Sequence, residues 1–172
     1  DTLYLACDVN DPTPAVNRAE AAALWSGDCL EAYLSTKPER FDARGELRAG
    51  DYIVHIACTE STALPRIEVF DCSAGRQWNP KGATLALAAR EDRTGYRFEA
   101  AIPWEAIESG WRPAPDGRAL WDWSIGYSDP AGSTAAFKAF WTPETGGANW
   151  RTTASWDTAM FESFDRVIRR QE

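Results

Sequence analysis

Hydrophobic and polar positions alternate with a period of two along most of the chain, the pattern of strands that turn one face to a core. Leu3-Tyr4-Leu5-Ala6-Cys7-Asp8-Val9 predicts an opening strand, stopped by the turn sequence Asn10-Asp11-Pro12. Residues 18–25 are alanine-rich and predict a short helix ending at Trp25. Residues 28–34 alternate cleanly, with Cys29, Glu31 and Tyr33 on one face and Leu30, Ala32 and Leu34 on the other. Residues 37–50 read as a polar surface loop, 52–58 and 66–71 as two joined strands, and 72–83 as a loop carrying Trp78. Residues 84–90 and 96–102 predict a hairpin around Asp92-Arg93-Thr94-Gly95. Pro103 ends it, because proline has no N–H to give a ladder. Residues 111–117 are a connection rich in proline, 120–128 and 135–141 are strands flanking Asp129-Pro130-Ala131-Gly132, and 164–169 predict a closing strand.

Many short strands separated by turn residues predict an all-β, antiparallel β-sandwich with short helical turns. At 172 residues without repeat, linker or low-complexity tract, residues 1–172 read as a single domain. The composition, 44% hydrophobic and 26% charged, is that of a packed protein, and no apolar run approaches the roughly 20 residues a membrane helix needs. A net charge of −8 with scattered cations excludes nucleic acid and anionic membrane surfaces as partners, since both demand clustered Lys and Arg.

Nine tryptophans are too many for one small core, so several belong on the surface, where flat rings bind ligands. Cys7, Cys29, Cys58 and Cys72 form no CxxC pair and His55 is the sole histidine, which argues against zinc. An even number of cysteines leaves disulfides open. A catalytic triad would have to place His55 within a strand, and no glycine-flanked serine accompanies it. Glycoside hydrolysis needs two facing carboxylates, and Asp28, Glu31 and Glu99 show no partner by spacing. The chain therefore reads as a non-enzyme.

The order of motifs resembles carbohydrate-binding module family nine, known from accessory domains of bacterial xylanases. The resemblance rests on the opening strand, on Leu24-Trp25-Ser26-Gly27-Asp28-Cys29-Leu30-Glu31, on Glu99-Ala100-Ala101-Ile102-Pro103-Trp104 and on Asn149-Trp150-Arg151. It implies a jelly-roll-like sandwich that is secreted, accompanies a glycan-degrading protein and requires no cofactor, with structural calcium a family trait. It also implies an opening strand pair ahead of Asp1, absent or supplied by another segment. A sugar, by this resemblance, sits between Trp25 and Trp150, as a chain end suits a two-sided clamp. Trp104 belongs to a packing motif. Trp121, Trp123 and Trp141 are expected in the core or on a sheet face, and Trp78 is the candidate for a second contact.

The polar floor departs from the family pattern. His55 stands where sugar-binding members carry arginine, Gly126 where they carry glutamine, and Asn149 lies near a loop asparagine. Trp25, Trp150 and His55 each keep a structural reading beside the ligand-binding one. The departures predict weak, tolerant binding, with Kd between about 10 µM and millimolar. They also predict tighter binding of a uronate in mild acid, where a protonated imidazole gains a second donor. Asp8, Asp11 and Asp28 are the candidates for calcium. Two other readings stand beside sugar binding. One is a structural spacer; the other is a haem-holding electron-transfer sandwich, for which Met160 and His55 are the minimum ligand set.

Overall fold

The computed structural model describes residues 1–11, 13, 15–19, 21–37, 44–58, 66–92, 94–113, 117–128, 135–141 and 150–161. Its strands are β1 (Thr2–Asn10), β2 (Cys29–Ser35), β3 (Asp51–Ala57), β4 (Ile67–Asp71), β5 (Arg76–Trp78), β6 (Thr84–Ala89), β7 (Gly95–Pro103), β8 (Arg118–Ser128), β9 (Ala135–Phe140) and β10 (Asp157–Met160). A 3-10 helix spans Ala21–Ser26, and one helical turn, α1, spans Trp104–Ile107.

All pairings are antiparallel and form two sheets. The smaller is ordered β1-β7-β6. The larger is ordered β10-β8-β2-β3-β4-β5, with β9 sharing the free edge of β8 beside β10. The expected sandwich is thus observed, and so are the strands anticipated near 3–9, 28–34, 52–58, 66–71, 84–90, 96–102, 120–128 and 135–141.

The core lies between the sheets. Leu3, Phe98, Ala100 and Ile102 of the smaller sheet meet Leu30, Ala32, Leu34, Val54, Ile56, Ile67 and Val69 of the larger. These are the alternate residues of each strand, so burying their apolar area fixes the register. Trp104 is buried as expected, packed edge-on against Trp111 and Phe161 with centroids 4.8 and 5.3 Å away.

Three expectations change. The alanine-rich stretch forms only a kinked 3-10 helix from Ala21, with non-helical backbone at Ala23; Ser26 Oγ donates to the Ala23 carbonyl, and the chain must turn at Gly27 to enter β2. Residues 72–83 are not wholly a loop, because Arg76–Trp78 adds β5 to the edge of the larger sheet. Trp78 is held there by a 2.8 Å bond from its Nε1 to the Ala106 carbonyl and by edge contact with Tyr52. The strand β10 was not anticipated, and the closing strand expected at 164–169 lies outside the described residues.

All four cysteines are free. Burial, the first cause in each case, pushes the Cys29 and Cys58 thiols up, and the Glu31 charge adds to the effect at Cys29. Since the thiolate is the reactive form, neither is expected to react with iodoacetamide in the native protein. Mass spectrometry after native alkylation checks this; modification of either residue before unfolding would contradict the packing.

Candidate functional site

Strands β2 and β3 are buried along their whole length, on the face turned away from the smaller sheet as well as on the core face. Cross-strand register divides that outer face into successive rows. One row runs Phe70, Ile53, Tyr33, Asp122; the next runs Glu68, His55, Glu31, Ser124; the third runs Ala57, Cys29, Gly126, Lys138.

The first row is covered. Trp156, fully buried, packs with Tyr33, Ile53 and Leu120, its ring centroid 5.8 Å from that of Tyr33. The third row is partly covered from the other side, where Leu24 of the 3-10 helix packs on Cys29 and Ala57. The middle row, polar throughout, lies between these two apolar clusters.

The middle row is a continuous set of close polar contacts. Tyr33 donates to Glu31 Oε2 at 2.9 Å and lies 3.3 Å from Ser124 Oγ. Burial first, and the Glu31 charge second, push the Tyr33 phenol up, so it stays a donor across the physiological range. His55 Nε2 is 3.9 Å from Glu31 Oε2, and His55 Nδ1 is 3.8 Å from Glu68 Oε1. Among the described residues His55 Nδ1 and Glu68 Oε1 have no hydrogen-bond partner although both are buried, and buried polar atoms are normally satisfied. Lys138 of β9 reaches across to pair with Glu31 Oε1.

Trp25 is carried on the wall next to the third row and is 47% exposed, with Lys138 Nζ 5.4 Å from its ring centroid. A buried clasp fixes this wall. Asn17 Nδ2 donates to the Leu24 carbonyl at 2.8 Å and to the Asp28 carbonyl at 3.1 Å, on either side of Trp25. Asp28 Oδ2 accepts from the Val16 N–H at 2.7 Å. The opposite wall is the segment leading to Trp156. Thr153 N–H bonds the Gly45 carbonyl at 2.7 Å, and Thr152 pairs with Glu46, tying the segment down. Trp150 opens this segment, 49% exposed, with Arg151 Cζ 4.1 Å from its ring centroid.

Of the residues expected at the site, His55 therefore lies in the polar row, and Trp25 and Trp150 lie on the segments flanking it. Asn149 lies outside the described residues. Trp141, expected in the core or on a sheet face, is 57% exposed with its ring 5.9 Å from that of Trp123. Met160 does not converge with His55. It pairs with Arg118 at the start of β8, whereas the row of His55 meets β8 at Ser124, and positions 118 and 124 are about 20 Å apart along a strand. Of the calcium candidates, Asp8 pairs with Arg90 and Arg97, Asp11 accepts from the Thr13 N–H, and Asp28 holds the clasp. Among the described residues no group of three or more His, Cys, Asp or Glu side chains is set to hold a metal.

Glu31 and Lys138 are the site residues that motif reading passed over. A signal existed for each: Glu31 is the one charge inside the alternating run 29–34, and Lys138 the one charge in 135–141.

The chain matches the family described as "Carbohydrate family 9 binding domain-like" over residues 1–163, and it belongs to that family. It is similar in structure to a family 9 carbohydrate-binding module from Caldicellulosiruptor kristjanssonii, solved in complex with glucose and with cellotriose. Identity to both is 16% and the TM-score 0.58; 94% of this chain and 71% of the glucose-bound chain are covered, against 95% and 72% for the cellotriose complex. No curated protein sequence matches the chain.

The clasp yields a test. A Cβ at Gly27 would fall 2.3 Å from Asn17 Cγ, far inside contact distance. Gly27→Ala should therefore destabilise the fold by about 1–3 kcal/mol in guanidinium unfolding, because Asn17 must give up its buried bonds. Unchanged stability would mean that the clasp does not hold the wall.

Proposed function

We propose that the outer face of the larger sheet binds carbohydrate, with Trp25 and Trp150 stacking on the two faces of one sugar ring above the row Glu31, His55, Glu68 and Ser124. One observation carries this reading: a polar row lies between two apolar clusters, and the segments that Leu24 and Trp156 anchor each carry a half-exposed tryptophan. Pyranose rings present C–H groups on their faces and hydroxyls around their edges, so they need aromatic surfaces and a polar floor together.

Family membership supports the same reading, as do the similar modules solved with glucose and cellotriose. A ring held on both faces favours a chain end, because neighbouring residues of a mid-chain sugar would meet the walls. The role is binding without catalysis, as an accessory to a glycan-degrading protein outside the cytoplasm. Among the described residues no helix is long and apolar enough to cross a membrane.

Calorimetric titration with glucose and cellotriose tests the proposal. Trp25→Ala and Trp150→Ala should each weaken binding by about 1–3 kcal/mol, with melting temperatures near wild type, since both rings are half exposed. Wild-type affinity in either variant removes that tryptophan from the site. A wild-type chain that binds neither sugar at millimolar concentration would instead favour the spacer role.

A further inference from the structure

Lys138 stands directly across from Gly126 in the β8–β9 register, and Gly126 in turn faces Cys29 of β2. With no side chain at 126, the lysine stem has a lane across β8 to reach Glu31. The position that the family resemblance assigns to a glutamine is thus empty, and its cross-strand neighbour delivers a polar group to the same floor. Lys138 Nζ also lies against the Trp25 ring, the surface on which a sugar would stack.

We infer that Lys138, paired with Glu31, reads adjacent hydroxyls of the sugar at this site in place of the side chain absent at Gly126; this rests on the proposed sugar-binding role. The chemistry is complementary. An ammonium has three N–H donors and no acceptor, whereas a carboxylate only accepts. Lys138 gives one donor to Glu31 Oε1, and Tyr33 supplies Glu31 Oε2. Each partner keeps unused capacity, donors on Lys138 and lone pairs on Glu31. Vicinal hydroxyls match this arrangement, one oxygen accepting from Lys138 while its neighbour donates to Glu31. Charged partners make these bonds stronger than neutral ones.

The same row disfavours an anionic sugar. Glu31 and Glu68 are both buried there, and Lys138 pairs with only one of them. A proton on His55 would sit between those two carboxylates, 3.9 and 3.8 Å away, and not be offered to a ligand alone.

Titration of wild type, Lys138→Met and Lys138→Arg with glucose, the four monodeoxyglucoses and glucuronate at pH 7 tests the inference. Wild type should bind glucose at least tenfold more tightly than one particular deoxyglucose and more tightly than glucuronate. Lys138→Met should bind glucose at least tenfold more weakly and lose discrimination against that deoxy sugar, while Lys138→Arg retains it. Loss of discrimination is the informative signal, because a purely structural lysine would weaken all sugars alike. If the Met variant does not fold, Lys138→Gln, which keeps a neutral donor, should show partial discrimination. Glucose affinity within twofold of wild type in Lys138→Met, discrimination surviving there or in an unfolding-free Lys138→Gln at the wild-type level, or tighter binding of glucuronate than glucose overturns the assignment and leaves the site reading intact. A wild-type chain that binds none of the sugars overturns both.

Discussion

A carboxylate withdrawn from water has to be paired and hydrogen-bonded, or it destabilises the fold by several kcal/mol. Glu31 is in that position, buried at the centre of the larger sheet. Its partners come from its own strand (Tyr33), the neighbouring strand (His55) and the far side of β8 (Lys138). Meeting its requirement therefore couples β2, β3, β8 and β9. It also explains why Glu31, His55 and Glu68 stand in one row, because each charge brought into the row calls for another. The result is a row of donors and acceptors fixed by burial, the preorganisation that the proposed sugar recognition calls for.

The position of the floor follows from where the apolar clusters stop. Leu24 covers Cys29 and Ala57 on one side, and Trp156 covers Tyr33, Ile53 and Leu120 on the other. Each cluster anchors a segment that carries an exposed tryptophan. Packing energy at Leu24 and Trp156 thus places Trp25 and Trp150, which themselves contribute little to the core. This division of labour lets each indole stay exposed on an anchored segment. The Asn17 clasp adds to it by satisfying the carbonyls of Leu24 and Asp28 around Trp25.

The sandwich was legible because period-two alternation reports directly on burial, as in Cys29-Glu31-Tyr33 against Leu30-Ala32-Leu34. Motif order pointed to Trp25, Trp150 and His55. Alternation could not show that the outer face of β2 and β3 is buried too, since its covering residues, Leu24 and Trp156, come from segments without strand pattern. Alanine content suggested helix at 18–25, yet the turn into β2 at Gly27 and the tertiary clasp leave room only for 3-10 geometry. Trp78 read as a loop residue because a three-residue edge strand is too short to show periodicity. The pairing of Lys138 with Glu31 was invisible because it depends on the β8–β9 register, which no local pattern encodes.

The central claim is that one sugar ring rests on the Glu31–His55 row with Trp25 and Trp150 on its two faces. A crystal structure of the chain soaked with cellotriose tests this most directly. The account predicts density for a terminal glucose stacked between the two indoles, with a hydroxyl within hydrogen-bonding distance of Glu31. Sugar bound elsewhere on the molecule, or indoles too far apart to touch one ring, would contradict it.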